Sequence, residues 1–374
     1  MIDLQETRKT IDKIDKEIVR LYQKRMEVVE DVADYKIQTG KAVLDTVREK
    51  EKVEGLKELA TNEFNRQGIE ELFKQIMSSS RKLQYTKIPQ EEELAYKEIS
   101  GLDRSSKTKV VYFGEKGSYT EQAMRECFGN NVKSIQKPTF KKIMEMIADG
   151  EVDYGVLPIE NTSTGGIGDI YDLLVQFDNY IVKDHVVKIE HALLGLPDAD
   201  IRDITRVYSH PQGLQQSSLF LEKYKHMKQT QCFSTSYGAR KVLEDNDITQ
   251  AAIASLHAAK YYNLKVLADK INNFNFNSTR FIIISNQMEY IKNANKVSVC
   301  FELPHESGSL YNVLSNMSYN NLNMTNIESR PIENKNFEYR FFIDFEGNLK
   351  DSGVRNAMKG MKEETNNFKI LGNF

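Results

Sequence analysis

The 374-residue sequence has no tryptophan, only three cysteines and seven prolines, and no apolar run near the ~20 residues a membrane-crossing helix needs. Cys127, Cys232 and Cys300 lie far apart and form neither a Cys-x-x-Cys pair nor an even set. That pattern excludes a disulfide framework and predicts reduced thiols. The six histidines are scattered, so no metal-ligand spacing is present and neither metal nor cofactor is expected. A formal charge of -3 lacks the basic excess of a nucleic-acid binder. The opening residues turn polar by Asp3, without the apolar core of a secretory signal. These absences predict a cytoplasmic protein with no nucleic-acid or membrane partner.

What is present divides into three textures. At 40% hydrophobic and 28% charged, 374 residues exceed one ordinary core, and two or three domains are expected. Residues 1–87 contain no proline, and Ile11, Ile14, Ile18, Leu21, Val28 and Val32 recur at helical spacing. Gly40 sits where a helix-closing glycine belongs. A second helix is expected to start near Asp45. A third carries Ile69, Leu72, Phe73, Ile76 and Met77 on one stripe. Ile88-Pro89 and the charged, serine-bearing stretch to Lys107 read as a linker. From Lys109 short β-rich runs (110–113, 152–157, 251–254, 281–284) alternate with helical segments, an α/β pattern with parallel strands. After a polar break at 286–296, the remainder reads strand, helix, strand, strand, helix, strand, the ferredoxin-like split motif.

In the helical unit the informative residues are the polar ones that interrupt its faces. Arg25 and Lys36 are eleven residues apart, close to three turns, and project from one side about 16 Å apart. Arg8 lies seventeen residues before Arg25, about 25 Å along the axis and a quarter turn away. If Arg8 acts, it acts on a partner chain's site. Asp45, Arg48 and Glu49 share a face at i, i+3 and i+4. Ser80 and Gln84 extend the apolar stripe of the third helix with polar atoms, which costs free energy unless something bonds them. Taken singly, such charges are usually a solvated face.

As a set they resemble the all-helical chorismate mutase family over roughly residues 4–85. The resemblance implies an intertwined three-helix dimer. Arg25 and the partner's Arg8 would hold the two carboxylates of chorismate, Lys36 and Gln84 its ether oxygen, and Glu49 its ring hydroxyl. Arg48, Asp45 and Ser80 would complete the pocket. The concerted rearrangement to prephenate needs no acid, base or nucleophile, only the reactive conformer and stabilised charge on the ether oxygen.

In the α/β segment four stretches end predicted strands, where α/β proteins place their sites. Gly114-Glu115-Lys116-Gly117-Ser118-Tyr119-Thr120 puts hydroxyls at a helix start, where they could cap the helix or take a carboxylate. Pro158-Ile159-Glu160-Asn161-Thr162-Ser163-Thr164-Gly165-Gly166 and Ser209-His210-Pro211-Gln212-Gly213-Leu214-Gln215-Gln216 follow apolar strands, as ordinary polar turns also do. Asn277-Ser278-Thr279-Arg280-Phe281 opens another strand. Together these four resemble the prephenate dehydratase family, with Glu115 standing where proline is common. The resemblance implies two α/β lobes, like those of periplasmic ligand-binding proteins, with prephenate between them. Thr279 would donate to the departing hydroxyl. Arg280 is expected on the pyruvyl carboxylate, because clamping the carboxylate that leaves would stabilise the ground state. Ser118, Asn161, Thr162, Ser209, Gln212 and Gln216 are candidate substrate partners; Glu160 orients the loop, and His210 is structural.

Gly308-Ser309-Leu310 and Glu328-Ser329-Arg330-Pro331 resemble the two ligand motifs of ACT domains in phenylalanine-regulated enzymes, with Gly308 allowing close backbone approach. Ser307, Ser309 and Phe337 depart from the usual proline, alanine and tryptophan. Phenylalanine would shift the population toward a low-activity arrangement.

The expectation is thus a multidomain chain. It comprises an all-α mutase unit (1–88), a linker (89–107), a two-lobed α/β dehydratase unit (108–286) and an α+β ferredoxin-like ACT unit (296–374). It would act on chorismate and prephenate, answer to L-phenylalanine, and assemble as a homodimer or higher homo-oligomer. Two alternatives stay open: an arogenate dehydratase, and a non-catalytic binding protein that senses an amino acid.

Overall fold

A computed structural model describes residues 3–87 and 95–374. The Ile88-Pro89 break and the first part of the expected linker lie outside the described residues.

The helical unit is α1 (Leu4–Thr39), α2 (Thr46–Lys57) and α3 (Glu63–Lys87). Asp3 starts α1 by accepting from the Gln5 and Glu6 amides, and Gly40 ends it in the left-handed region at φ 67°. Asp45 starts α2, accepting from the Arg48 amide. Only Val29 and Ala33 of α1 are buried, both in its C-terminal half where it meets α3. Ile11, Ile14, Ile18 and Leu21 stand 50–55% exposed along the other half. The end of α3 is the reverse case: Ser80, Arg81, Lys82 and Gln84 are polar and buried.

The short strand β1 (Lys97–Ile99) falls inside the expected linker, which is therefore structured in its second half. It pairs parallel with a strand in the polar break at 286–296.

The first lobe contains β2 (Lys109–Phe113), α4 (Tyr119–Phe128), β3 (Lys133–Lys137), α5 (Phe140–Ala148), β4 (Tyr154–Asn161), β5 (Gly165–Gly166), α6 (Gly168–Gln176) and β6 (Tyr180–Lys188). The second contains β7 (His191–Gly195), β8 (Arg206–Ser209), α7 (Pro211–Gln216), α8 (Ser218–Leu221), β9 (Lys228–Gln231), α9 (Thr235–Asp245), β10 (Gln250–Ser255), α10 (Leu256–Tyr262) and β11 (Lys265–Ala268). The chain then returns to the first lobe in β12 (Ser278–Ser285), followed by β13 (Glu289–Ile291), the partner of β1. The C-terminal unit is β14 (Lys296–Glu302), α11 (Ser309–Tyr319), β15 (Met324–Pro331), β16 (Tyr339–Glu346), α12 (Ser352–Glu364) and β17 (Asn366–Asn373).

The sheets are mixed rather than parallel. β12 runs antiparallel to both β4 and β6, and β7 antiparallel to β10 and β11. The reason is connectivity: β12 arrives from the other lobe, without the helical crossover that forces parallel neighbours. The two crossings are tied together. Ile189 N donates to Asn277 O at 2.9 Å, Asn272 Nδ2 to Ile189 O at 3.1 Å, and His191 N to Asn272 Oδ1 at 2.6 Å.

The C-terminal unit is not a separate bead. One ten-stranded sheet runs β15-β16-β14-β17-β6-β12-β4-β2-β3, with β5 added on β4. The seam is Gly372 opposite Ile181, and a Cβ on Gly372 would lie 2.1 Å from the Ile181 carbonyl oxygen. One face of β12 (Phe281, Ile283) packs with Tyr112, Ala123 and Met124. The other (Ile282, Ile284) joins a core that reaches Tyr171, Cys300 and Phe342. Among the described residues no helix is long and apolar enough to cross a membrane.

Candidate active sites

The first candidate site lies where the ends of α1 and α3 meet the start of α2. Arg25 donates to Ser80 Oγ, Lys36 Nζ to the Val43 carbonyl at 2.6 Å, and Gln84 Nε2 to the Ser80 carbonyl at 3.3 Å. Neither Arg25 nor Lys36 forms an ion pair among the described residues. Burial lowers the pKa of both, against Tyr22 and Glu49 for Arg25 and against Asp45, Glu49 and Glu363 for Lys36. Two half-buried cations without direct counterions are primed for an anionic ligand. Gln84 Oε1 is buried without a partner. Asp45 spends its carboxylate capping α2, and Arg48 is exposed. Arg8 is exposed on the projecting half of α1, outside its own chain's cluster.

Five side chains here escaped the sequence reading: Arg81, Tyr85, Asn316, Glu363 and Glu364. Arg81 bridges Glu49 to Glu364 at the end of α12, and Asn316 Nδ2 also donates to Glu364 at 3.0 Å. Tyr85 bonds Glu363, whose carboxylate also accepts from the Leu44 amide at 3.2 Å. Thus α12 supplies two carboxylates to the edge of the helical site. The signal was present in part: Met77, Arg81 and Tyr85 are an i, i+4 series on the inward stripe of α3.

The second candidate site lies between the lobes. Thr279 is buried, and its Oγ1 accepts from Asn161 Nδ2 at 2.9 Å. The same amide faces Asn277 Oδ1 at 2.9 Å and the Ser278 carbonyl at 3.1 Å. Asn161 Oδ1 accepts from both the amide and hydroxyl of Ser163. Gln216, on α7 of the second lobe, donates to Ser163 Oγ at 3.0 Å. A cavity of about 370 Å³ at the lobe junction is lined by Tyr119, Arg125, Glu126, Glu190 and His257, and not by Thr279.

Other expected residues are turned elsewhere. Arg280 does not enter the cleft. Strand alternation sends it to the face opposite Thr279, where Asp344 of β16 accepts at 2.7 Å and Glu160 at 3.2 Å. Burial pulls its pKa down, but Asp344 leads the opposing charges and the net shift is upward. Ser209 is fully buried and donates to the Ile253 carbonyl at 2.7 Å, tying β8 to β10. Thr162 donates to Phe276 O at 3.1 Å and accepts from Ser278 N at 3.0 Å, so it fastens the returning crossing. Ser118 caps α4, and His210 caps α7 by accepting from the Gln212 amide; the Gln212 side chain is exposed.

In the C-terminal unit Gly308 takes φ 83° at the start of α11, and Ser309 Oγ donates to Glu306 O at 3.0 Å. Glu328 and Arg330 face the first lobe, not the start of α11. An added Cβ on Gly166 would meet Glu328 Oε1 at 2.8 Å, and Arg330 pairs with Asp172 of α6 at 2.6 Å. Ser329 alternates to the other face and is exposed, and Leu310 is half-buried. Among the described residues no group of His, Cys, Asp and Glu is spaced to hold a metal.

Comparison with known proteins matches the two segments that carry these candidate sites. Residues 7–85 match the family of type II chorismate mutases, and residues 110–289 the prephenate dehydratases. The bifunctional chorismate mutase/prephenate dehydratase of Buchnera aphidicola (Schizaphis graminum) is 32% identical, covering 99% of this chain and 96% of its own. That of Aquifex aeolicus is 31% identical, covering 100% and 98%. Among solved structures, the Arthrobacter aurescens prephenate dehydratase in complex with L-Phe superposes at TM-score 0.66 with 28% identity, covering 71% of this chain and 89% of that one. A quorum-quenching acylase, GqqA, superposes at 0.65 with 25% identity, covering 71% and 96%. The fold alone therefore does not fix the chemistry; the side chains must.

Proposed function

The chain belongs to the bifunctional chorismate mutase/prephenate dehydratase family, and on that premise we propose how its residues divide two consecutive reactions between two sites. The helical site rearranges chorismate to prephenate. The cleft then removes carbon dioxide and water from prephenate to give phenylpyruvate, on the route to phenylalanine.

In the helical site Arg25 and the partner subunit's Arg8 hold the two carboxylates. Lys36 and Gln84 address the ether oxygen as its bond breaks, and Glu49 takes the ring hydroxyl. Arg48, Asp45 and Ser80 close the pocket. Support comes from the two cations that lack direct counterions among the described residues. The exposed row Ile11, Ile14, Ile18 and Leu21 supports an intertwined dimer, since completing the burial of each half-exposed side chain contributes about 1 kcal/mol.

One contact carries the dehydratase reading: Asn161 donates to Thr279 Oγ1, so the threonine hydrogen is left to donate to the departing hydroxyl. Threonine is too weak an acid to protonate fully, and it polarises the leaving oxygen while aromatisation drives the elimination. Asn161 orients Thr279.

The C-terminal unit is an ACT-type sensor for phenylalanine. Its βαββαβ order, the left-handed Gly308 and the exposed Ser329 support this, as does the L-Phe held by the Arthrobacter enzyme. Phenylalanine bound there favours a less active arrangement of the cleft.

The test follows chorismate, prephenate and phenylpyruvate in one assay of the full-length protein. Thr279→Ala should cut phenylpyruvate formation at least about 10²-fold and leave chorismate consumption intact, with Thr279→Ser retaining part of the rate. Dehydration that survives Thr279→Ala overturns the assignment.

A further inference from the structure

The hydrogen-bond partners of Thr279 form a chain with one consistent direction. Asn161 Nδ2 faces only acceptors, namely Thr279 Oγ1, Asn277 Oδ1 and Ser278 O, so its orientation is fixed. Its Oδ1 accepts from Ser163 Oγ, whose lone pair receives Gln216 Nε2 at 3.0 Å. Gln216 Oε1 then faces His191 Nε2 at 2.9 Å, which requires that nitrogen to carry the proton. The other ring nitrogen, Nδ1, lies 3.1 Å from the Tyr119 hydroxyl, whose hydrogen goes to the Glu190 carbonyl at 2.8 Å. Burial holds His191 below the ordinary histidine pKa, which agrees with a neutral ring.

The chain crosses between the lobes twice. Tyr119, Ser163, Asn161 and Thr279 belong to the first lobe, His191 and Gln216 to the second. His191 is also at the hinge: its own amide donates to Asn272 of the returning crossing at 2.6 Å. A buried imidazole bonded through Nε2 to Gln216, placed at a hinge and aimed through three side chains at Thr279, does more than fill space. Each donor polarises the next, and the series ends on the oxygen whose hydrogen the substrate needs.

We propose that His191 and Gln216 are positioning residues for the dehydration: across the closed lobes they lock Ser163 and Asn161, and so aim the Thr279 hydroxyl at the leaving oxygen. This rests on the assignment of Thr279. It also moves Gln216 from substrate partner to support. Opening the cleft breaks the Gln216–Ser163 bond and releases the aim of Thr279, so the elimination runs only with water excluded.

The experiment uses the full-length protein with prephenate as substrate and chorismate consumption as the fold control. His191→Phe keeps a ring and removes both nitrogens. It should lower kcat for phenylpyruvate between about 10- and 100-fold, with KM within about twofold and the mutase rate unchanged. His191→Gln, which restores a donor toward Gln216, should recover most of that loss. Gln216→Leu breaks the chain one bond further on and should match His191→Phe, which keeps the idea testable if the histidine variant misfolds. Equal rates for His191→Phe and His191→Gln, or a rise in KM at constant kcat, would overturn the proposal. Loss of dehydration in Thr279→Ala together with a neutral His191→Phe would sink this inference alone, whereas an active Thr279→Ala would sink the parent assignment.

Discussion

Thr279 and Arg280 are consecutive in β12, yet Thr279 faces Asn161 in the cleft while Arg280 pairs with Asp344 of the C-terminal unit on the opposite face of the sheet. A residue step in a strand reverses the side chain, so a change at one position reaches chemistry and at the next reaches domain docking.

Arg280→Met should therefore act on stability. The Arg280 and Asp344 side chains are only 12% and 6% exposed, so removing the cation strands a buried carboxylate at a cost of about 3–5 kcal/mol. Thermal unfolding should show a lowered Tm, largely recovered by adding Asp344→Leu. KM for prephenate should rise less than about threefold, against the more than tenfold expected of a lost carboxylate clamp.

Lys36 gives the mutase a pH signature. Burial sets its pKa below that of an ordinary lysine, the partial opposition of Asp45, Glu49 and Glu363 notwithstanding. The charged form is the active one, so chorismate turnover should be full below that lowered pKa and fall as pH rises through it. Lys36→Arg keeps its charge and should give a flat alkaline limb at a lower kcat. A pH–rate profile of chorismate consumption for both proteins distinguishes them.

Glu364→Gln tests whether α12 tunes the helical site. With one of its two carboxylates neutralised, Arg81 draws more strongly on Glu49 and withdraws it from the substrate hydroxyl. Mutase kcat/KM should drop by up to about tenfold, a coupling of about 1.4 kcal/mol, with dehydratase kinetics unchanged.

Sharing of the helical site between chains is tested by mixing. Ile14→Asp with Ile18→Asp, both on the exposed row, should reduce the mass in light scattering and abolish mutase activity. Arg8→Ala and Arg25→Ala, each inactive alone, should regain about a quarter of wild-type turnover when refolded together, because a two-fold heterodimer keeps one intact site.

Much of this architecture is legible in the residues. The 3.6-residue period of Ile11, Ile14, Ile18 and Leu21, the absence of early proline, and the capping roles of Asp45 and Gly40 lead directly to α1 and α2. The spacing of Arg25 and Lys36 puts both on one side of α1, where Arg25 meets Ser80 of α3 and Lys36 the Val43 carbonyl before α2. Period-two alternation separates Thr279 from Arg280 but does not say which face is the cleft; placing Arg280 on the pyruvyl carboxylate weighs chemistry alone and has no means to see Asp344. Arg81 and Glu364 are 283 residues apart, and no local pattern joins them. Ser209 and Thr162 look like ligand groups in a polar turn; only the packing shows that backbone carbonyls have claimed their hydroxyls. Strand β1 hides in a charged stretch because three residues are too few to show a period.

The seam at Gly372 and Ile181 bears on how this enzyme can be engineered. Trimming the polypeptide ahead of Lys296 would bare the edge of β6 at Ile181, now covered by Gly372 of β17, and an uncovered strand edge invites stray strands. It would also take Glu364 from Arg81 and Glu363 from Tyr85, leaving Arg81 with Glu49 alone at the edge of the helical site. Single exchanges around Gly308 and Ser329, the proposed phenylalanine site, leave that flank covered and both carboxylates in place.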